Sequence, residues 1–225
     1  MTDNHILQTN VHGNPNIGLY GYCTEEYCIL GLDVSKEKAK KIETILKVPV
    51  HRMNIAGTSL VGAFLAGNST CLLVPNIIFE EELKQLKELK INYYVVESKL
   101  TALGNNIVCN NHGCLVNPEY SAEIKKRIRE ALNVPLKPGT IASSETVGSC
   151  ALTIKDKGVC HRDITDEEKS VVEELLNISL EPGTVNFGNP YIRSGLLANT
   201  NGFIVGSLSS GPELTFVDES LGFLK

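Results

Sequence analysis

The stretch Thr101-Ala-Leu-Gly-Asn-Asn-Ile-Val-Cys-Asn-Asn-His-Gly-Cys-Leu-Val-Asn-Pro118 decides the fold, because a similar stretch occurs earlier in the chain. Its pattern predicts an apolar strand, a polar turn around residues 110–113 and a second apolar strand. The earlier copy is Ser59-Leu-Val-Gly-Ala-Phe-Leu-Ala-Gly-Asn-Ser-Thr-Cys-Leu-Leu-Val-Pro75. In both copies an Asn lies six residues after the first Gly, and a Cys-Leu pair opens the second strand. A repeat of this length determines the architecture before any local assignment is made.

The repeat extends through the whole chain and is marked by one glycine in each copy. These anchor glycines are Gly18, Gly62, Gly104, Gly148 and Gly195, with spacings of 44, 42, 44 and 47 residues. A glycine inside a strand usually marks a bulge or a close approach of two backbones. Five such glycines in register predict five backbones that converge on one place.

Each copy is predicted to contain two strands, a helix and a third strand. The helices are expected from a cap at Ser35 to Lys47, over Phe79–Lys90 and Ser121–Leu132, from a capping box at Thr165, and toward Leu221. No single copy can bury its apolar face alone, so the copies must pack together. The predicted fold class is α/β, as a five-fold pseudo-symmetric α/β propeller with helices outside and strands around the centre.

We expect a single domain over residues 1–225, with repeats at about 13–52, 58–98, 101–138, 144–181 and 190–225. Residues 1–12 have the character of an irregular lead-in. Because the fifth repeat lacks a closing strand of its own, the N-terminal segment is predicted to supply one and close the ring.

Composition excludes several classes of function. Apolar residues make up 42% of the chain, charged residues make up 21%, and the net charge is -5. An acidic chain is unsuited to broad nucleic-acid binding, which neutralises phosphates, but it suits a basic protein partner. No basic segment followed by an apolar run opens the chain, and the longest mainly apolar run, Leu60–Gly67, is too short for a bilayer. We therefore expect a soluble, cytoplasmic protein with no membrane partner.

The seven cysteines do not form a metal-binding or disulfide pattern. Their number is odd, no Cys-x-x-Cys pair occurs, and the cluster of Cys109, His112 and Cys114 lacks an evident fourth ligand. Several cysteines occupy matching repeat positions, which favours a role as small buried hydrophobic residues. We expect neither a metal nor a cofactor.

The sequence offers no arrangement typical of an enzyme. Cys160 and His161 are adjacent, so they point to opposite faces of a strand, and no Ser-His-Asp set or phosphate-binding loop is present. The lysine and arginine residues of the predicted helices alternate with glutamate, which indicates a solvated outer face.

The loops beside the anchor glycines carry mostly small neutral polar residues: Asn14, Asn16, Ser59, Asn105, Asn106, Ser149 and, as the charged exception, Arg193. Turn formation and helix capping explain part of this composition. The functional interpretation is a flat, largely neutral contact surface at one end of the ring, which is typical of a docking protein.

The chain resembles the translation initiation factor 6 family of ribosome anti-association factors, whose fold is the pentein fold. The resemblance is carried in order by Gly13-Asn-Pro-Asn-Ile-Gly18, Ile55-Ala-Gly57, Leu60-Val-Gly62, Gly67-Asn68, Leu72-Leu-Val-Pro75, Thr101-Ala-Leu-Gly-Asn105, Thr146-Val-Gly-Ser149, Gly183-Thr-Val-Asn186, Gly195-Leu-Leu-Ala-Asn199 and Ser210-Gly-Pro-Glu-Leu214. It covers the whole chain and agrees with the five-fold repeat.

The resemblance implies a non-catalytic monomer that binds the large ribosomal subunit on the face that meets the small subunit. Its contacts would be chiefly with ribosomal proteins near the sarcin–ricin loop, with limited rRNA contact. The bound protein would block association of the two subunits sterically. Its release would need a translational GTPase with a partner protein. A part in large-subunit maturation is also expected. Asn105 matches a motif position near the family's ribosome-facing surface, and repeat register adds Asn16, Ser59, Asn106, Ser149 and Arg193.

The chain departs from the family pattern at Asn16, where an aromatic or acidic residue is frequent, and at Ala63, which is basic in some members. It ends at Lys225 without the longer tail of eukaryotic members, so it is similar to the short archaeal type. The alternative is a pentein enzyme that modifies guanidino groups, a deiminase or amidinotransferase. Those enzymes use a late cysteine, and no cysteine follows Cys160. A ring-shaped scaffold for some other protein is the third interpretation.

Overall fold

The computed structural model describes residues 5–224, which form five three-stranded sheets. In each complete unit two antiparallel strands form a hairpin, and a third strand pairs parallel to the second after a helix. The first four sheets are β2 (Gly21–Cys23), β3 (Cys28–Leu30) and β4 (Val50–Arg52); β5 (Ala66–Gly67), β6 (Leu72–Pro75) and β7 (Tyr93–Val96); β8 (Ile107–Cys109), β9 (Cys114–Val116) and β10 (Leu136–Pro138); and β11 (Ala151–Ile154), β12 (Lys157–His161) and β13 (Ser179–Gly183).

The fifth sheet is completed by the beginning of the chain. Its hairpin is β14 (Leu196–Asn199) and β15 (Gly202–Gly206), and β1 (Ile6–Thr9) pairs parallel to β15. The predicted closing strand is therefore confirmed, and residues 6–9 are a strand rather than the irregular lead-in that was predicted. The predicted domain limits, residues 1 and 225, lie outside the described residues.

Five one-turn helices surround the centre of the molecule. They are a 3-10 turn at Ile17–Tyr20, α2 (Val61–Phe64), α4 (Leu103–Asn106), α6 (Val147–Cys150) and α8 (Ile192–Gly195), and each contacts the next so that they form a closed ring. The prediction that the anchor glycines lie in strands is wrong in all five repeats, because residues 17–20, 61–64, 103–106, 147–150 and 192–195 are helical. A buried apolar run of about four residues is too short for its periodicity to separate strand from helix.

The close approach predicted at the anchor glycines occurs on these helices. A Cβ atom added to Gly62 would lie 1.9 Å from the carbonyl oxygen of Gly18, and one added to Gly104 would lie 2.0 Å from that of Gly62. No side chain of any size fits at such distances, because the packed backbone of the neighbouring helix occupies the space. The predicted convergence of backbones is confirmed.

The fifth repeat meets its neighbour two residues earlier than the predicted anchor, Gly195. Glycine is the second residue of the one-turn helix in four repeats, and in the fifth repeat that position is Arg193, not Gly195. The carbonyl oxygen of Arg193 faces Gly18, 1.8 Å from where a Cβ atom would lie, so Arg193 closes the ring of contacts. Its long side chain stands where the other four repeats have none.

Five longer helices pack against the sheets: α1 (Lys36–Leu46), α3 (Glu80–Glu88), α5 (Ala122–Leu132), α7 (Asp166–Leu176) and α9 (Gly211–Ser220). Ser35 and Thr165 cap α1 and α7 through their side chains, as predicted. Ile42 and Leu46 of α1 are fully buried between neighbouring sheets. The opposite face of α1 carries exposed ion pairs such as Lys41–Glu37 at 2.8 Å, which agrees with the predicted solvated face.

The cysteines are mainly core residues, and the helices are short. Five cysteines are buried and two, Cys23 and Cys109, are half-buried, so most pack as small hydrophobic residues. No helix between residues 5 and 224 combines the length and the apolar character that crossing a bilayer requires.

Candidate functional site

The topology gives the ring two different ends. Because the strands of each hairpin are antiparallel, every hairpin turn lies at one end of its sheet and the loops that follow the second and third strands lie at the other. We call the second end the loop face; it comprises residues 11–16, 31–35, 53–60, 75–79, 97–102, 117–121, 141–146, 161–165, 185–191 and 206–210. The hairpin turns surround a cavity at the opposite end.

Tight turns project from the loop face, and three of them are each held in place by a glutamate carboxylate, which is buried at Glu82 and half-buried at Glu168 and Glu213. Ala142 and Ser143 adopt left-handed backbone angles, with φ of 54° and 60°. Their backbone N–H groups donate to Glu168 at 2.8 and 3.0 Å, and the Thr140 hydroxyl donates at 2.6 Å. Glu168 also completes the capping box of α7, so one side chain joins turn and helix.

The surroundings of Glu168 favour its charged form. Burial pushes its pKa upward, but the hydrogen bonds from Thr140, Ser143, Thr165 and Ala142 outweigh burial and hold the pKa below its ordinary value. Glu213 behaves in the same way, since the hydrogen bonds it accepts lower its pKa more than burial raises it.

The same arrangement recurs in two other repeats. Glu82 accepts from the backbone of Ala56 and Gly57 at 2.7 and 2.9 Å. Glu213 accepts from the backbone of Phe187 and Gly188 at 3.1 and 2.9 Å. Loops fixed in this way present their side chains with little conformational freedom, which lowers the entropic cost of binding a partner.

The loop face carries most of the large apolar side chains exposed on the described part of the chain. Phe187, at the tip of a turn, is 83% exposed. Nine such side chains are exposed between residues 5 and 224, and seven of them lie on the loop face: Leu32, Leu60, Ile77, Phe79, Phe187, Tyr191 and Leu208. Phe187 lies between repeats four and five, and the other six belong to repeats five, one and two, which are neighbours in the ring. Exposed apolar side chains concentrated in this way are typical of a protein–protein interface.

This apolar set was not predicted from the sequence, because the loop residues that suggested a contact surface there were polar ones. The signal was present at Phe187, which stands between Asn186 and Gly188 in a turn where a large apolar side chain has no core to enter.

Asn105 is the predicted site residue best placed to bind a partner. It lies near the C-terminal end of α4 and is half-buried, and its side-chain amide makes no hydrogen bond to any residue from 5 to 224. Asn16 is also half-buried, and its Oδ1 lies 3.4 Å from donors on Asn186, Asn189 and Ser194. Asn16 therefore links the first repeat to the fifth.

Ser59 and Asn106 are interior residues, 8% and 6% exposed. The Ser59 hydroxyl donates to Asn54 Oδ1 at 3.0 Å, and Asn106 accepts from Asn117 Nδ2 at 2.8 Å. The prediction that these two side chains lie on an exposed surface is wrong, because each satisfies the polar groups of a loop instead. The half-buried Ser149 donates to the Thr146 carbonyl at 2.7 Å, a local hydrogen bond across the first turn of α6 that does not cap the helix. A contact between any of these residues and a ribosome stays a prediction.

Arg193 points into the central cavity and not to the loop face. The cavity has a volume of about 950 Å³, and its deep part is lined by Gly18, Tyr22, Cys109 and Arg193. Arg193 Nη2 donates to the Leu65 carbonyl at 3.0 Å, and its guanidinium lies 5.9 Å from the centre of the Tyr22 ring. The predicted grouping of Arg193 with the loop residues at one end of the ring is therefore wrong, because at this register its side chain points into the central cavity. A contact between Arg193 and a ribosome stays a prediction.

The structure does not assemble a nucleophilic site around Cys160. This cysteine is fully buried, and burial raises its thiol pKa to about 12, so the thiolate is scarce at neutral pH. The described residues also contain no group of three His, Cys, Asp or Glu side chains able to hold a metal ion, and Cys109, His112 and Cys114 form no such group.

The fold and the loop face together define a class: a pentein-type α/β ring with loops held rigid at one end. Solved structures of the same fold include two forms of the N-terminal domain of ArgZ, one covalently bound to a reaction intermediate and one bound to substrate and described as an arginine dihydrolase of cyanobacteria. Each has a TM-score of 0.52 and covers 84% of this chain and 72% of its own, at 10% and 9% identity. At such identity the likeness concerns the fold alone.

The particular family follows from the sequence comparisons. The eIF-6 family profile matches residues 6–220. Translation initiation factor 6 of Thermococcus onnurineus is 33% identical over 98% of this chain and 99% of its own length. That of Staphylothermus marinus is 36% identical over 96% and 97%, and that of Sulfolobus acidocaldarius is 40% identical over 91% and 93%. The chain belongs to the eIF-6 family, and its role is that of a translation factor.

Proposed function

We propose that this protein binds the large ribosomal subunit through its loop face and thereby prevents association with the small subunit. The observation that carries the proposal is the concentration of exposed apolar side chains on the loop face; the unpaired amide of Asn105, on the central helix α4, adds a polar group able to bind a partner. An apolar centre with a few polar groups able to donate or accept is the usual composition of a protein–protein interface.

The proposed partners are chiefly ribosomal proteins near the sarcin–ricin loop, with limited rRNA contact. The net charge of -5 favours basic protein surfaces over bare phosphate. The rigid ring would act as a steric block, without catalysis, and the same contact would serve during large-subunit maturation. Both steps would take place on cytoplasmic ribosomal particles, with the protein acting as a monomer.

Support for a non-catalytic role comes from the family and from the thiol that an enzyme would need. Relatives across nearly the whole chain carry the name of a translation initiation factor. The last cysteine in the chain, Cys160, has a raised pKa and lies inside the core. No observation favours guanidino-group chemistry.

The test is co-sedimentation with purified large subunits, followed by addition of small subunits. We expect the protein to travel with large subunits and to reduce the joined-ribosome peak. Asn105→Lys should weaken binding at least about tenfold, because the added charge must be desolvated in a close contact. His112→Lys adds the same charge on an exposed hairpin turn at the opposite end and should leave binding unchanged.

A second pair of variants tests the apolar side chains. Phe187→Asp should weaken binding, whereas Val171→Asp, on the exposed outer side of α7, should leave binding as it is. The proposal is wrong if the protein stays at the top of the gradient across a range of salt, or if both aspartate variants bind as well as the unmodified protein.

A further inference from the structure

The central cavity has the dimensions of a small-molecule site and is separate from the loop face. Its volume of about 950 Å³ falls within the range of ligand pockets in proteins. Four of the five hairpin turns contribute to its wall. The cavity therefore opens at the end opposite the loop face and would stay accessible in a protein docked through that face.

The charge of Arg193 at the bottom of the cavity is not balanced by a carboxylate. The ion pairs formed between residues 5 and 224 do not include Arg193. Its neighbours are the Leu65 carbonyl, the Tyr22 ring and the Cys109 thiol. A guanidinium is costly to bury without an anion, even though it keeps its charge.

Most of the donors of Arg193 remain free to bind a ligand. A guanidinium has five N–H donors, and the hydrogen bond to Leu65 uses one of them. Among the described residues, Arg52 Nε is the one fully buried side-chain nitrogen or oxygen that lacks a partner. The unused nitrogens of Arg193 are therefore not sealed in protein, and the space they reach is the cavity that Arg193 lines.

The ring does not need an arginine at this position for its own packing. Four of the five repeats have glycine here and close the ring by backbone contacts alone. The fifth repeat makes the same backbone contact, through the Arg193 carbonyl, and in addition projects a cation into the centre.

We propose that the central cavity binds a small molecule through a carboxylate or phosphate group placed against Arg193. The fork of N–H donors matches two oxygens of either group. Tyr22 and Tyr27 add aromatic surface for the rest of the ligand. The wall carries charges of both signs, from Lys90 and Lys155 and from Glu25, Glu26 and Asp156, so anion recognition is assigned to Arg193 alone. A guanidino compound would be repelled by Arg193, so the proposed ligand class is opposite in charge to an arginine substrate.

Isothermal titration of the full chain with succinate, succinamide and inorganic phosphate tests the proposal. Succinate and succinamide have nearly the same shape and differ in charge, so binding of succinate alone would assign recognition to the carboxylate. Inorganic phosphate tests whether the cavity binds a phosphate group as well as, or in place of, a carboxylate. We expect saturable binding of at least one anion and none of succinamide.

Arg193→Gln should weaken the binding of that anion at least about tenfold, which is the loss of a charge-assisted pair of hydrogen bonds. Arg162→Gln, which removes an exposed arginine on the loop face, should bind as the unmodified protein does. Equal binding by Arg193→Gln, or no saturable binding of either anion to the unmodified protein, would overturn the proposal.

A measurement on the unmodified protein covers the case in which Arg193→Gln does not fold. Cys109 is half-buried and lines the cavity, whereas Cys150 is buried away from it. A bound anion should slow alkylation of Cys109 by iodoacetamide, followed by mass spectrometry, and leave the rate at Cys150 unchanged. Unchanged labelling of Cys109 at saturating anion contradicts the proposal.

Discussion

At the scale of the residue, the centre of this protein is set by positions where no Cβ atom fits. Gly62 and Gly104 each lie against a carbonyl oxygen of the preceding one-turn helix, at 1.9 and 2.0 Å from an added Cβ atom. A methyl group there would have to displace backbone, since no flexible side chain is available to move. Because no Cβ atom fits at this position, four of the five repeats have a glycine there, and the regular spacing of these glycines made the ring predictable from the sequence.

Replacing Gly62 by alanine is expected to destabilise the protein by about 3 kcal/mol, the upper range for an overpacked core. The matched control is Gly211→Ala at the start of α9, where an added Cβ atom meets nothing within 4 Å. We expect that variant to stay within about 0.5 kcal/mol of the unmodified protein. Urea denaturation measures both, and equal stability of the two variants would show that the ring tolerates a side chain at its centre.

The structure places the predicted site residues differently from one another. Asn105 is half-buried on α4 with an unpaired side-chain amide, and its contact with a ribosome stays a prediction. The burial of Ser59 and Asn106 was not predictable, because a small polar side chain beside a turn has the same local pattern whether it faces solvent or satisfies a buried loop. Arg193 was misplaced for a different reason: counting glycines put the fifth repeat out of register by two residues.

At the scale of the element, capped helices were predicted to within about two residues and one-turn helices were not predicted at all. Caps are local signals, since the Ser35 and Thr165 side chains bind backbone N–H groups three residues away. The central helices have no side-chain caps, and their helical form comes from the packing of five equivalent segments in a ring. Tertiary packing decides the conformation of these helices, so the segments carry neither a helix cap nor a helical periodicity that would predict it from the sequence.

Glu168, whose carboxylate joins a turn of the loop face to α7, gives a prediction about how stability depends on pH. The pKa of Glu168 is lowered in the folded protein, whereas a glutamate in an unfolded chain has a pKa of about 4.3. Its contribution to stability is therefore present above the unfolded pKa and is lost as pH falls through the folded pKa. We expect Glu168→Gln to cost about 1–2 kcal/mol at pH 7, and this difference from the unmodified protein should shrink toward pH 3.

Glu167→Gln serves as the control for that experiment, because Glu167 is exposed and accepts no hydrogen bond from the turn. Urea denaturation at several pH values from 3 to 7 (the span that covers glutamate titration) measures the effect. A cost for Glu168→Gln that does not change with pH would mean that the charge on Glu168 contributes nothing to holding the turn.

At the scale of the whole molecule, the ring is closed by a strand from the opposite end of the chain. β1 pairs with β15 over four residues, from Ile6 with Phe203 to Thr9 with Gly206. This pairing covers the edge of β15 that would otherwise be open to other chains. The closure was predictable from the sequence because counting strands left the fifth repeat one short.

Removal of residues 1–9 is expected to lower the thermal midpoint by about 10 °C or more, since each 1 kcal/mol lost shifts the midpoint of a domain this size by about 2–4 °C. The uncovered edge of β15 should also promote self-association. Thermal denaturation and sedimentation velocity measure the two effects. A truncated protein that stays monomeric and melts at the original temperature would show that β1 is dispensable for the ring.

The central claim is that the loop face is the surface that binds the large subunit. Hydrogen–deuterium exchange of the protein, alone and saturated with purified large subunits, tests this claim most directly. The account predicts slower exchange on binding at residues 11–16, 55–60 and 185–191, with hairpin turns 24–27 and 110–113 unchanged. Protection confined to the hairpin turns, or no protection in a protein that sediments with the subunit, would contradict it.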